Sequence, residues 1–301
     1  MSSELQALRE EVPLPEGWAL GEVLERSLQR GPYVLQLAGL VAHQGDRLAT
    51  HGSAACLEGR AMERAYFELL ERISILEQPS TPVQGSWALS KSNGVALGGS
   101  HARATQAALY ELVERDRLLR SWRGETLPQR LDWVASGVFR ELESEYAFEA
   151  YAFSSLSEEA VTVGIFGWPR REGRCRIYGT AARGHLAAAL HAAERECLQG
   201  YGFLSEEQAL LEEPSFSPTP DYHQAYYLYP PNTQHLTDWL AGKRYHGSER
   251  KRSDWQVHFR EITPQSLKGH VVVAQAVCTE AVSLYFGRRP EEPTGPVHPF
   301  S

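Results

Sequence analysis

Three stretches of this chain repeat one pattern, Ala-x-x-x-Ala-x-x-Glu-x-x-Glu/Gln. It reads Ala61, Ala65, Glu68 and Glu71, then Ala104, Ala108, Glu111 and Glu114, then Ala189, Ala193, Glu196 and Gln199. Residues three and four apart share one face of a helix, so each copy predicts a ridge of small side chains ending in two polar acceptors. Three such ridges can pack closely and bring up to six acceptors to one pocket, five of them carboxylates. Carboxylates gathered this way repel one another unless cations neutralise them. Hard oxygen ligands suit Mg²⁺, which usually arrives with substrate phosphates. Each copy also follows a glycine, in Thr50-His51-Gly52-Ser53, Ser92-Asn93-Gly94 and Gly179-Thr180, and each glycine is read as part of a turn.

The elements that must position these residues follow from periodicity. Apolar residues at helical spacing predict helices over residues 58–77, 102–122 and 186–201. Leu20, Val23, Leu24 and Leu28 predict a short amphipathic helix after the break at Pro13 and Pro15. Strands are expected at 33–37, continuing to 42, and at 146–153, 161–168, 174–179, 271–277 and 284–286, with a helix at 134–142. Residues 205–260 read as a long loop with a short helix near 236–240 and a tyrosine cluster at 222–229. Pro290, Pro293, Pro296 and Pro299 predict an extended tail. Strands alternating with helices point to a mixed α/β architecture built from repeated units.

Composition narrows the class. A chain of 301 residues with 42% hydrophobic and 23% charged residues is that of a soluble globular protein, with no apolar run long enough to span a membrane. No signal peptide is read at the N-terminus. The four cysteines are scattered without a C-x-x-C pair, which argues against a disulfide framework or zinc site and fits a cytoplasmic location. His185 and His191 do not have zinc spacing, and no Walker A or G-x-G-x-x-G motif occurs. A net charge of −8 argues against nucleic-acid binding. The basic run at 243–252 reads as a solvated loop or as a site for an acidic peptide or phosphate.

Residues 45–301 resemble the YcaO superfamily. The run Ser92-Asn93-Gly94-Val95-Ala96-Leu97-Gly98-Gly99, followed by Ala108-Leu109-Tyr110-Glu111-Leu112-Val113-Glu114-Arg115-Asp116, is similar to the second nucleotide segment of azoline-forming members. Glu68-Leu69-Leu70-Glu71-Arg72 resembles the first segment and Glu196-Cys197-Leu198-Gln199 the third. His223 with Tyr226-Tyr227, then Leu236 and Trp239-Leu240, resembles a later stretch, and Val297-His298-Pro299-Phe300-Ser301 the proline-rich ending. The resemblance implies an α+β, YcaO-like fold of mixed sheets with three Ala/Glu-rich helices converging on a nucleotide pocket, with an N-terminal segment at 1–44 and a YcaO-like domain at 45–301 whose tail is 290–301. It implies ATP- and Mg²⁺-dependent phosphorylation of a backbone amide oxygen in a ribosomally made precursor peptide. In azoline formers a Cys, Ser or Thr of the peptide closes a thiazoline or oxazoline ring; related members make thioamides or amidines.

By the same resemblance Glu68, Glu71, Glu111, Glu114 and Glu196 are expected as Mg²⁺ ligands or their supports. Gln199, Ser92 and Asn93 are expected at the nucleotide, and His298 or the Ser301 carboxylate in proton transfer. An E1-like or leader-peptide-binding partner protein is expected in trans, with a homodimer left open. Departures from the family pattern support a second reading, a catalytically reduced subunit that binds the peptide or a partner enzyme. The first glycine stretch lacks a lysine, and Arg64, Ala107 and Ala192 stand where the family usually has Ser, His or Gln, and Arg.

Overall fold

The computed structural model describes residues 2–46, 48–79, 83–84, 87–154, 160–247, 255–288 and 296–300. Helix α1 (Ser3–Glu11) is capped by Ser2 and ends before Pro13. Strands β1 (Ala19–Arg30), β2 (Tyr33–Gln44) and β3 (Leu48–Cys56) form an antiparallel sheet in that order. The helix expected around Leu20–Leu28 is therefore strand. The register slips between Leu20 and Val23, which face Ala42 and Leu40 of β2. That bulge gives two apolar residues three apart the same side of the sheet, so the strand imitates a helical period. The expected boundary at 44/45 falls in the β2–β3 turn.

Helix α2 (Ala61–Leu76) follows, then β4 (Val83–Gln84), β5 (Trp87–Leu89), β6 (Val95–Gly98) and α3 (His101–Trp122). Next come β7 (Gln129–Arg130), α4 (Val138–Leu142), β8 (Tyr146–Ala152), β9 (Val161–Pro169), β10 (Ile177–Arg183) and α5 (Leu186–Leu204). Gly137, at φ 55°, starts α4 later than expected. The expected strand at 174–179 lies further on, at β10, where pairing with β9 fixes it. The rest comprises α6 (Pro220–Leu228), α7 (Thr233–Leu240), β11 (His258–Glu261), β12 (Val272–Val277) and β13 (Tyr285–Gly287). Helix α6 occupies the expected loop; Thr219 caps it, Pro220 opens it, and Tyr222, His223, Tyr226 and Tyr227 form its buried face.

The other sheets run β10-β9-β8-β7, β11-β12-β6 and β13-β5-β4, and every strand pair among the described residues is antiparallel. The first sheet is covered on both faces. Leu35 and Leu37 pack with α5 and the β8–β10 sheet, whereas Ala38, Leu40 and Ala42 pack with α1 and α2. A third, aromatic core joins the end of α3 to α6, α7, β13 and the tail through Trp122, Tyr227, Trp239, Phe286 and Phe300.

Candidate functional site

The three repeated patterns sit on α2, α3 and α5, each preceded by a strand that contains the glycine or begins just after it. Gly52 lies in β3 and Gly179 in β10, so only Gly94, at φ 67°, belongs to a turn. The glycines are needed for close approach. A Cβ at Gly52 would collide with the backbone of Ala65 and Leu69, and one at Gly179 with that of Ala193 and Cys197. A Cβ at Gly94 would meet the carbonyl of Ala276 and Leu112. The strand thus rests directly on its helix, beside the second alanine and the residue after the first glutamate.

This contact aims the glutamates. Ser53 N–H, one residue after Gly52, donates to Glu68 Oε2 at 3.1 Å. Thr180 N–H, one after Gly179, donates to Glu196 Oε2 at 3.1 Å. Val95 N–H, one after Gly94, faces Glu111 and favours its charged form. The same hydrogen-bonded construction therefore occurs at α2 and α5, with a looser counterpart at α3. Glu71 accepts from Leu97 N–H of β6 at 2.7 Å, and Glu114 from Thr180 Oγ1 at 2.7 Å.

The five carboxylates form one electrostatically linked row. Burial raises the Glu71 carboxyl to about 7, with repulsion from Glu68 adding to it. Burial pushes Glu111 well above the usual range, aided by Glu71 and Glu114. Burial and then Glu114 raise Glu196 to about 8. Glu196 keeps contact with water because it stands in an open cleft, but protein crowds it on all other sides. Such carboxylates favour a bound cation or proton.

A cleft of about 470 Å³ opens over Glu68, Glu71 and Glu196 and is lined also by Ser53 and Gln199, whereas Glu111 and Glu114 lie behind its lining. Gln199 Nε2 donates to the Ser53 carbonyl at 3.0 Å. The residues fit Mg²⁺ bound together with phosphate. Glu111 Oε2 is buried without a hydrogen-bond partner, an acceptor left for a cation. Among the described residues no three His, Cys, Asp or Glu side chains enclose an ion by themselves. Mg²⁺ commonly takes one or two carboxylates and completes its shell with water and phosphate.

Arg64, which in sequence suits either a fixed charge in place of a metal or a phosphate contact, lines the cleft together with Arg183 and Arg195, which the sequence reading did not single out. Burial, then the charges of Arg64 and Arg183, lower the Arg195 pKa, as expected where cations crowd without enough anions. Arg64 reaches Glu58 at 2.9 Å. Arg195 immediately precedes Glu196, and Arg183 ends β10, the only sequence signals for them.

Ser92 and Asn93 do not line the cleft. Ser92 Oγ pairs with Ser90 Oγ at 2.7 Å, and Asn93 Oδ1 accepts from Leu284 N–H at 3.2 Å, so both fix the turn before β6. His298 is fully buried. Its Nε2 lies 2.5 Å from the Tyr285 carbonyl, and its Nδ1 accepts from Phe300 N–H at 3.3 Å. Burial, then His223, hold its pKa well below the ordinary value. His298 is thus a neutral clamp on the tail, with no ring nitrogen free to carry a proton. Tyr178 donates to the Pro299 carbonyl and Tyr227 to the Val297 carbonyl, which brings the tail beside Glu196 through Tyr178. Ser301 lies outside the described residues. No described helix is long and apolar enough to cross a membrane.

Similar proteins give this geometry a context. The fold is similar to that of YcaO from Methanopyrus kandleri bound with AMPPCP and Mg²⁺, with TM-score 0.59 and 16% identity over 97% of this chain and 93% of that one. It is similar to a chain of the E. coli microcin synthetase McbBCD complex with pro-MccB17 bound, with TM-score 0.57 and 12% identity over 87% of each. It is also similar to a heterocyclase in complex with substrate and cofactor, with TM-score 0.63 and 12% identity over 93% of this chain and 52% of that one. At these identities the likeness is one of fold. No curated protein matches the sequence. Residues 73–277 match the family model of the YcaO cyclodehydratase, ATP- and Mg²⁺-binding; the match takes in α3 and α5 and begins just after Glu71. That stretch is about two thirds of the chain, and the chain belongs to the YcaO family of ATP- and Mg²⁺-binding proteins.

Proposed function

We propose that this protein uses ATP and Mg²⁺ to activate a backbone amide of a ribosomally made precursor peptide, closing an azoline ring from a Cys, Ser or Thr. The observation that carries the reading is the linked row of crowded carboxylates on α2, α3 and α5, with Glu111 Oε2 buried and without a hydrogen-bond partner. Glu68, Glu71, Glu111, Glu114 and Glu196 would hold Mg²⁺ directly or through water. Bound there, Mg²⁺ supplies charge neutralisation for phosphoryl transfer. Arg64, Arg183 and Arg195 suit the phosphates of the substrate ATP, since guanidinium groups match phosphate oxygens in pairs.

The chemistry explains why such a site is wanted. The peptide thiol or hydroxyl adds to the preceding carbonyl carbon and loses its proton. The former carbonyl oxygen then takes the γ-phosphoryl group, and ADP leaves. Breaking that C–O bond expels phosphate; the nitrogen loses its proton, and the C=N bond of the ring forms. Amide oxygen is a poor leaving group and phosphate a good one, so the enzyme needs chiefly to position and neutralise charge. The tail, held by Tyr178 beside Glu196, would border the reacting amide. The likeness to a chain of a multisubunit synthetase with a propeptide bound supports a peptide substrate and a separate recognition protein.

One observation favours the second reading, a subunit that binds without turning over ATP. Arg64 stands in the cleft already paired with Glu58, and Ala192 leaves the opposite wall short. Calorimetry of Mg²⁺-ATP with the wild type and Glu111→Ala separates the two. Saturable binding that the mutant loses supports the enzyme. No binding at millimolar nucleotide, with candidate peptide and partner present, supports the scaffold.

A further inference from the structure

Among the described residues nothing pairs with the outer edge of β1, the 12-residue strand that ends the β1-β2-β3 sheet. Every residue from Gly21 to Ser27 is exposed, and Val23 and Leu24 keep 38% and 47% of their surface in water. Successive residues of a strand point to opposite faces, so apolar surface is exposed on both sides of this edge. Such an edge offers a row of free N–H and C=O groups to another strand. Its charges limit what can add to it. Glu22 stands two residues before Leu24, and Arg26 two residues after it. Arg26 reaches Glu206 of its own chain at 2.6 Å, but both side chains are exposed, so water weakens the pair and it can be exchanged at little cost.

Two identical strands that pair antiparallel are related by a two-fold axis, so each residue meets the one equally far on the other side of the axis. An axis at Leu24 sets Leu24 against Leu24, Val23 against Glu25, and Glu22 against Arg26 twice. An axis at Glu25 would set two carboxylates face to face, and one at Arg26 two guanidinium groups; like charges directly opposite destabilise a strand pair. We propose that the β1 edge is the contact between two copies of this chain, which pair antiparallel about Leu24 and join their three-stranded sheets into one. The bulge between Leu20 and Val23 ends the regular edge there and keeps the contact short. Leu24 stands beside Gly39 of β2, and Gly39 beside Ser53 of β3. The axis therefore lies on the same row of the sheet as Ser53, whose N–H holds Glu68 at the cleft. The two copies of Ser53 stand five strand spacings apart, about 24 Å, so the dimer carries a carboxylate cleft on each outer strand of the joined sheet.

Sedimentation velocity of the whole chain, at concentrations up to about 100 μM, tests the contact. Leu24→Lys, Glu22→Arg, Arg26→Glu and the double variant Glu22→Arg, Arg26→Glu are run beside the wild type. All three positions are exposed, so thermal melts of the variants are expected to stay close to wild type. The wild type is expected to dimerise reversibly. Leu24→Lys and each single charge reversal set like charges opposite each other and are expected to weaken the dimer about tenfold or more, with the double variant recovering it to within about threefold. A wild type that stays monomeric overturns the second-copy assignment and leaves the edge to a peptide or another protein. A dimer indifferent to all three single substitutions is built on another face and overturns it as well. Weakening in both single reversals without recovery in the double variant overturns the two-fold pairing about Leu24.

Discussion

Thr180 Oγ1 donates a 2.7 Å hydrogen bond to Glu114 Oε1, with both side chains buried, so one residue of β10 holds a carboxylate of α3 while its N–H holds Glu196 of α5. Thr180→Val keeps the shape and removes the hydroxyl. A buried acceptor left unpaired costs about 1–3 kcal/mol. Urea denaturation is expected to show a loss of that size, largely recovered in Thr180→Ser. Equal stability of Thr180→Val and wild type would show that this bond does not hold the two helices to the strand.

The carboxylate row makes metal-free stability depend on pH. Glu71 and Glu196 release their protons in the folded protein near 7 and 8, against 4.5 for an ordinary glutamate, and Glu111 is raised as well. The folded state therefore binds more protons than the unfolded state over that interval, and stability falls as pH rises through it. Buried His223, lowered from 6.5 to about 4, and His298 act in the opposite direction, removing stability as pH drops below 6.5. Between pH 6.5 and 8 the carboxylates act with little opposition from the histidines. The thermal midpoint in chelator is expected to fall across that range, and Mg²⁺ is expected to raise it most at the alkaline end. A midpoint that climbs or stays level in chelator would remove the repulsive row from the account.

Gly52→Ala and Gly179→Ala each drive a methyl group into the backbone of the following helix, whereas Gly99→Ala meets nothing within 4 Å. Overpacking of this kind costs about 1–3 kcal/mol, and more where only backbone can yield. The first two variants are expected to lose cooperative unfolding or shift its midpoint sharply, with Gly99→Ala close to wild type. Circular dichroism melts of the three decide it. Tolerance at both Gly52 and Gly179 would mean that the strands do not rest on their helices as described.

The tail is held by phenolic donors and by a histidine. In the double variant Tyr178→Phe, Tyr227→Phe, the carbonyls of Pro299 and Val297 lose their partners. Amide exchange at Phe300, whose N–H is bonded to His298 Nδ1, is expected to accelerate while exchange in α2 stays unchanged. Exchange at Phe300 as slow as in wild type would assign the clamp to His298 and to packing of Phe300 against Trp239.

Much of this was readable in the chain because the three Ala/Glu patterns have strict helical spacing, and α2, α3 and α5 fall where the pattern puts them. The glycines were visible as well, but their purpose was not. Spacing cannot tell a turn glycine from a strand glycine pressed on a helix, and Gly52 and Gly179 are the latter. β1 was misread because a bulge at Leu20–Val23 reproduces a three-residue period. α6 was missed because its tyrosines and His223 sit among prolines; only their contact with the tail shows them to be a helix face. Arg183 and Arg195 belong to no repeated pattern, and only the fold shows that they share a cleft with Arg64.

The strand–helix pairs that make the site lie far apart in the chain, at β3–α2, β6–α3 and β10–α5. Each pair is local and can form early; in the first and last, the bond from Ser53 or Thr180 N–H to its glutamate closes a loop of only about 15 residues. Gathering the three requires long-range closure, the slow part of folding. A chain emerging from the ribosome therefore carries two finished thirds of an acidic cradle well before the last third exists. Until α5 docks, Glu196 and Gln199 are missing from the cleft they line. The ability to capture a cation tightly thus appears in one step, late, and reports that the whole molecule has closed.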